Sequence, residues 1–336
     1  MLTGDQINTA RAIARELGLA DEAEPLAVHA RDLEGMNGAE LAALVRKVDV
    51  FARVSPSDKL RIVEALKQAG EIVAVTGDGI NDAPALKHAN VGIAMGERGT
   101  EAAKEAADVV LTDDNFATLI KAIESGRAIY ANIIKFVHMM FSHNLGEVIV
   151  IFAAIAAGWP LPLLPLQILW MNLVTDVFPA LALAVEPPTP GIMKRPPRAP
   201  HSVLLSTRFL ILIGWQGARL AAITLSIYAW AINTYGEGAH ARTLTLMTMI
   251  SVQLGHMFNC RSRTHSAFEG LLRNPFIWVA VGIVVILQML AIYLKPLARV
   301  LDTVELTGTD WLLAGIAVLA PVAVVEITKL LSRKAS

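Results

Sequence analysis

Long apolar runs, almost free of charge, fill the last two thirds of this 336-residue chain and limit its fold more than any other feature. Six of them lie at approximately 129–157, 163–184, 206–232, 243–260, 275–294 and 310–331. Each is near or above the ~20 residues a helix needs to cross a bilayer. Lipid offers backbone groups no partners, so such runs must satisfy their own hydrogen bonds and are predicted as six transmembrane helices. A polar, amphipathic stretch, Asn115–Tyr130, reads as the first helix continued, a stalk leading from a soluble region into the membrane. With 54% hydrophobic and 18% charged residues, the chain is too apolar for one soluble globule.

Charge between the runs alternates. One side carries Lys194, Arg195, Arg198 and Arg208, then Arg261, Arg263 and Arg273, then Lys329, Arg333 and Lys334. The other carries Arg242, Lys295 and Arg299. Ten against three predicts that the soluble region and the C-terminus are both cytoplasmic, which requires an even number of spans. Pro187, Pro188, Pro190, Pro196, Pro197 and Pro200 should stiffen the loop 185–208 into a semi-rigid link.

Residues 1–115 are rich in charge and alternate helix and strand signals, the pattern of an α/β layer fold with a largely parallel sheet. Helices are predicted at Gln6–Leu17, Asp58–Ala69, Ala83–Ala89 and Glu101–Ala107, the second capped by Ser55 or Ser57 with Pro56 near its first turn. Strands are predicted at Asp49–Val54, Ile72–Val75, Val91–Met95 and Val109–Leu111. Ile72–Val75 reads as a buried strand feeding Thr76–Gly96, TGDGINDAPALKHANVGIAMG. Gly77 and Gly79 allow a tight turn, so that Asp78 and Asp82 project into the crevice at the strand's C-terminal end. Hard carboxylate oxygens there suit Mg²⁺. Asp82 is also placed to cap the helix Ala83–Ala89.

Polar groups at membrane depth are expensive and therefore informative. Asn144 and Glu147 lie three apart on one helical face, and Asn172, Thr175 and Asp176 follow in the second span. Together they predict an oxygen-rich cage for a hard cation, with Pro179 freeing further backbone carbonyls. Ca²⁺, Mn²⁺, Na⁺ and K⁺ all accept oxygen ligands, and two carboxylates favour a divalent ion. His138, His143 and His256 are expected to be helix contacts or water-facing groups. The single cysteine, Cys260, excludes an internal disulfide and is expected to be inert at a helix end. A net charge of −1 argues neither for nor against nucleic acid, but no basic patch with interleaved aromatics occurs, so no nucleic-acid partner is expected. The N-terminus has no apolar leader region.

Three motifs carry a family resemblance. Thr76–Gly96 closely resembles the hinge segment of P-type cation-transporting ATPases, Leu2–Asp5 (LTGD) their second phosphorylation-domain motif, and Phe51–Lys59 (FARVSPSDK) their third. Together they resemble the haloacid-dehalogenase-like, Rossmann-like phosphoryl-transfer core. The resemblance implies that 1–115 is the C-terminal part of a cytoplasmic phosphorylation domain and 116–336 a transmembrane domain. It gives Thr3, with Gly4 and Asp5, the phosphoryl group to hold, and Lys59 its developing charge. Asp78 receives Mg²⁺, and Asn81 and Asp82 complete the polar rim.

NLGE (Asn144–Glu147) and NLVTD (Asn172–Asp176) resemble the fifth and sixth helices of P2-type pumps, more closely the sarco-endoplasmic-reticulum-type calcium pumps than the sodium pump. Gln253 falls where those calcium pumps have a glutamate, a departure that bears on the number of ions per cycle. No DKTGT or TGES sequence occurs. The resemblance therefore implies the C-terminal portion of an ATP-driven, Mg²⁺-dependent pump, with Ca²⁺ as cargo and the plasma membrane of a prokaryote as its place. The missing N-terminal part would be its partner. Alone, the chain is expected to form no aspartyl-phosphate and to leave Glu147 and Asp176 facing lipid or self-associating. The alternative is a stand-alone, membrane-anchored haloacid-dehalogenase-like or regulatory module.

Overall fold

A computed structural model describes residues 1–19, 24–198, 204–262, 266 and 269–334, with side chains to 328. Pro200, Arg263 and the side chains of Lys329, Arg333 and Lys334 fall outside the described parts. The chain forms two compact units, residues 1–123 with 197–198, and residues 124–196 with 204–334.

The first unit alternates helix and strand: α1 (Ile7–Glu16), β1 (Ala27–His29), α2 (Gly38–Val45), β2 (Val50–Ala52), α3 (Pro56–Gln68), β3 (Ala74–Gly77), α4 (Ala83–His88), β4 (Val91–Met95), α5 (Glu101–Ala106) and β5 (Val109–Leu111). Every strand pair is parallel, in two sheets ordered β1-β2 and β3-β4-β5. Leu2 adds a parallel bridge to Phe51. Apolar residues place the cores: Phe51, Ile62 and Leu33 under one sheet, Leu86, Ala94 and Ala103 under the other. Ser55, not Ser57, caps α3. Its hydroxyl accepts from Asp58 N–H while Asp58 returns the bond, and Pro56 occupies the first turn.

One strand departs from expectation. Ile72–Val75 reads as buried, yet Ile72 is 61% exposed and the strand itself begins at Ala74, with Ala74 and Thr76 also exposed. Among the described residues β3 pairs only with β4, so its other edge has no strand to cover it. β1 and α2 were not legible from apolar period alone. The Asn37–Glu40 capping box that starts α2 is the local signal that marks it.

The second unit is helical: α6 (Phe116–Ala156), α7 (Pro165–Met171), a π-helical turn (Asn172–Asp176), α8 (Val177–Ala184), α9 (Thr207–Tyr235), α10 (Ala239–Cys260), α11 (Pro275–Tyr293), the short α12 (Lys295–Leu301) and α13 (Gly308–Lys334). The polar stretch before the first apolar run does continue into it as one helix of 41 residues. Five helical stretches among the described residues are long and apolar enough to cross a membrane: α6, α7–α8 taken together, α9, α11 and α13 up to Thr328.

The sixth expected segment, 243–260, is helical within α10 but is not apolar enough to join them. It carries Thr243, Thr245, Thr248, Gln253, His256 and Asn259, all buried inside the bundle. A helix enclosed by others need not present an apolar face to lipid, and some of its polar groups find partners within the protein. Thr243 and Thr245 donate back to Ala239 O and Ala241 O, each at 2.7 Å. Asn259 donates to Pro321 O at 2.9 Å.

Helices close on one another through glycine. A Cβ on Gly255 of α10 would sit 2.0 Å from Val318 O on α13. The loop after α8 is held at its start by more than its prolines. Glu186 accepts from Arg261 Nε at 2.9 Å and Asn274 Nδ2 at 2.6 Å, and Asn132 Nδ2 donates to Glu186 O at 2.7 Å.

Gly255→Ala should force α10 and α13 apart and destabilise the bundle by about 1–3 kcal/mol. Thermal unfolding of the reconstituted chain should show a clear drop in melting temperature, and an unchanged midpoint would contradict the close approach.

Candidate functional site

The loop after Leu2 wraps the end of β2. Thr3 N–H donates to Phe51 O, Val54 N–H to Thr3 O, and Arg53 N–H to Asp5 O, at 3.0, 3.0 and 3.1 Å. Thr3 Oγ1 then donates to Asp5 Oδ2 at 2.9 Å, and Asp5 N–H returns a bond to Thr3 Oγ1 at 3.2 Å. Gly4 and Asp5 are exposed, so Thr3, Gly4 and Asp5 form an open, self-bonded polar turn.

α3 carries Lys59 to the neighbouring sheet. Its Nζ donates to Asp82 Oδ1 at 2.6 Å, in a pair whose side chains are only 25% and 12% exposed. The other Asp82 oxygen accepts Gly79 N–H at 3.3 Å. A Cβ on Gly77 would lie 2.4 Å from the Asp82 Cβ, so the turn accepts only glycine there. These contacts correct two expectations. Asp82 makes no side-chain cap to α4, and it is buried in the wall against Lys59 rather than standing on a rim. Asp78 and Asn81, by contrast, are exposed. Thr100 N–H holds the Asp78 carbonyl at 2.8 Å, and among the described residues the Asp78 carboxylate makes no hydrogen bond. A carboxylate so placed at a strand's C-terminal end fits Mg²⁺.

Sequence reading missed the carboxylates that hold the loops of this unit. Asp114, at φ 48°, accepts backbone N–H groups from Gly96, Glu97 and Arg98 at 2.6, 3.1 and 2.9 Å. Desolvation opposes ionisation of Asp114, but those three donors and the nearby Arg98 charge hold its carboxyl below the usual range.

The second site lies in the helical unit. Glu147 of α6 is 4% exposed. It accepts Gln253 Nε2 from α10 at 2.8 Å. With its amide turned to satisfy both atoms, Asn172 donates from the π turn to the two Glu147 oxygens at 2.9 and 3.0 Å. Asp176, with 17% of its side chain exposed, faces His143 Nδ1 at 3.5 Å. Glu147 is therefore enclosed by protein, contrary to the expectation that it faces lipid. Thr175 is buried, but its hydroxyl donates to Met171 O at 2.8 Å. Asn144 is exposed, so the structure does not bring it beside Glu147.

Two buried oxygens in this cluster, Gln253 Oε1 and Asp176 Oδ1, make no hydrogen bond among the described residues, the second standing only in a loose 3.5 Å contact with His143 Nδ1. An orphaned buried acceptor costs roughly 1–3 kcal/mol, which a cation can recover.

Residues 160–331 match the family model described as "Cation transporting ATPase, C-terminus", just over half of the chain. The chain belongs to the cation-transporting ATPases. Its first unit matches two haloacid dehalogenase-like hydrolase models, over residues 1–90 and 59–123. Relatives include calcium-transporting ATPase 1 of Bacillus cereus, 42% identical over 98% of this chain and 39% of that protein. Probable cation-transporting ATPase F of Mycobacterium bovis is 44% identical over 99% of this chain and 37% of its own length. Calcium-transporting ATPase type 2C member 2 of Rattus norvegicus is 39% identical over 93% and 33%. The chain thus spans little more than a third of the cation-transporting ATPases it matches.

Lys59→Met should leave the Asp82 carboxylate buried and unpaired and cost the first unit about 2 kcal/mol. Adding Asp82→Asn should recover much of that loss in thermal unfolding. Equal losses in the single and double variants would contradict the pairing. The depressed Asp114 carboxyl contributes stability at pH values above its unfolded pKa, and that contribution disappears as pH falls below about 4. Unfolding midpoints measured at stepped pH should therefore decline less steeply below that value in Asp114→Asn than in the unaltered chain.

Proposed function

We propose that this chain is the C-terminal part of an ATP-driven cation pump, with Ca²⁺ as the cargo. The observation that carries the reading is the pair of orphaned oxygens, Gln253 Oε1 and Asp176 Oδ1, beside a Glu147 already gripped by two amides. A cation binding there would replace missing donors with charge, and a divalent ion best offsets two carboxylates within a low-dielectric bundle. The names of the Bacillus and rat relatives favour calcium among the oxygen-seeking ions. Asn144 and Thr175 would join only if α6 rotated or the Thr175 hydroxyl left Met171.

In this reading the first unit supports phosphoryl transfer. Asp78 would hold Mg²⁺, which supplies charge to the transferring phosphoryl group when bound. Thr3 would offer its hydroxyl to that group, and Lys59 its charge once shared with Asp82. Asn81 would line the approach. ATP would be held by an N-terminal part of the pump. The uncovered edge of β3 and the exposed Ile72 border an open depression of about 690 Å³ lined also by Val45, Leu66 and Ala74. A strand from that N-terminal part, docking there in parallel, would cover them. The alternation of basic loops supports a cytoplasmic first unit and C-terminus, and in this reading the membrane is the plasma membrane of a prokaryote. The 41-residue α6 would be the stalk that couples the two chemistries.

The test is Ca²⁺-dependent phosphoenzyme formation in the full-length parent. Asp176→Asn and Glu147→Gln should each weaken apparent Ca²⁺ affinity roughly tenfold or more, the loss of a charge-assisted ligand. Unchanged affinity in both would sink the cation site. ATPase stimulation by Na⁺ or K⁺ with indifference to Ca²⁺ would overturn the choice of ion while leaving the site intact.

A further inference from the structure

Beside the carboxylate cluster the bundle encloses a second cluster of different chemistry. His138 on α6 and His256 and Cys260 on α10 present ligand atoms that all lie within 4.8 Å of one another. The three residues are 2%, 0% and 1% exposed. His256 and Cys260 stand one helical turn apart, with Cys260 Sγ 3.3 Å from His256 Nε2. Sulfur and nitrogen bound to one metal ion lie about 3.5–3.8 Å apart, given metal–sulfur and metal–nitrogen bonds near 2.3 and 2.0–2.1 Å. That pair is already close to ligand spacing, and the His138 ligand atom lies within 4.8 Å of both. The other His256 nitrogen, Nδ1, is buried without a hydrogen-bond partner, as are both nitrogens of the adjacent His143. His143 turns its Nδ1 to Asp176 at 3.5 Å, which leaves His256 Nδ1 as the unmatched nitrogen of the pair nearest the thiol.

Charge selects among the thiophilic ions. The Arg219 guanidinium of α9 lies close enough to act electrostatically on both His256 and Cys260. Asp176 stands behind His143, whose ring centre is 5.5 Å from that of His256. A divalent ion on one thiolate and neutral imidazoles would leave a net positive charge against a guanidinium, away from water. A monovalent ion leaves the site neutral. The fully buried thioether residues Met139 and Met257 pack in the same cluster as Cys260, an equally soft surrounding.

We propose that His138, His256 and Cys260 form a three-coordinate site for a soft monovalent metal ion, Cu⁺, separate from the oxygen-lined cation site. Binding releases the Cys260 thiol proton to solvent, forms one copper–sulfur and two copper–nitrogen bonds, and changes no oxidation state, since the ion arrives as Cu⁺.

The 336-residue chain, reconstituted in lipid nanodiscs, is titrated anaerobically with Cu⁺ against a chromophoric Cu⁺ chelator. One ion per chain is expected, and X-ray absorption at the copper edge should show one sulfur and two nitrogen scatterers. That spectrum is read on the unaltered chain and needs no variant to fold. Cys260→Ser should weaken binding roughly a hundredfold, because a hydroxyl is a poor ligand for Cu⁺. A copper shell without sulfur, or binding undiminished in Cys260→Ser, overturns the site. Preference for Zn²⁺ over Cu⁺ at these residues overturns the choice of a monovalent ion.

Discussion

A carboxylate enclosed by helices and shut off from bulk solvent governs the second unit. Glu147 must be hydrogen-bonded or neutralised where it sits, because an isolated buried charge costs far more than any single apolar contact returns. The chain meets that demand from two separate elements, Gln253 on α10 and Asn172 on the π turn. Those donors have to arrive together, so α10 is drawn to the middle of the bundle and the second span unwinds where Asn172 begins. The apolar helices around them then shield polar groups that lipid would not tolerate. Gly255, which admits Val318 O against the α10 backbone, shows how closely the enclosing helix comes.

The first unit relies on the same chemistry at lower cost. Its loops are held by carboxylates and amides that accept backbone N–H groups: Asp49 from Leu26, Asn90 from Val73, Asp108 from Gly92, Asp114 from three residues in a row. Such bonds organise turns that no apolar core reaches. They also explain why so charged a sequence folds into short, regular strands.

Much of this was legible in the sequence because period and punctuation act locally. β4 and β5 have the expected limits, the helices from Ile7, Pro56, Ala83 and Glu101 lie within two residues of theirs, and the polar stretch before the first apolar run is continuous with it. What escaped depended on neighbours. Ile72 is apolar whether or not a strand covers it, and nothing in its own segment says which. The polarity of α10 reads as a weak span until the enclosing helices are seen. At the sites, the motif residues divided by surroundings: Lys59 met Asp82, and Gln253 and Asn172 met Glu147, whereas Asn144 stayed outside and Thr175 bonded its own helix. The grouping of His138 with His256 and Cys260 could not be seen in the sequence, because His138 lies more than a hundred residues from the other two.

The π turn also settles a problem of phase. Buried positions along the second span include a series four residues apart, Gln167, Met171, Thr175, Pro179 and Leu183, with Val174 and Ala182 beside it. On a straight α-helix, where each residue advances by about 100°, a stripe of that period drifts by about 40° at every step. Over four steps it would wind nearly halfway round, carrying one end of the span's inner face out to the periphery. One surplus residue at Asn172–Asp176 absorbs about 100° of that drift. About 60° of drift then remains along the span in place of about 160°, so the buried stripe stays on one side of it. The local unwinding that turns Asn172 toward Glu147 is also what lets an ordinary-looking apolar segment keep a single side inward along its whole length.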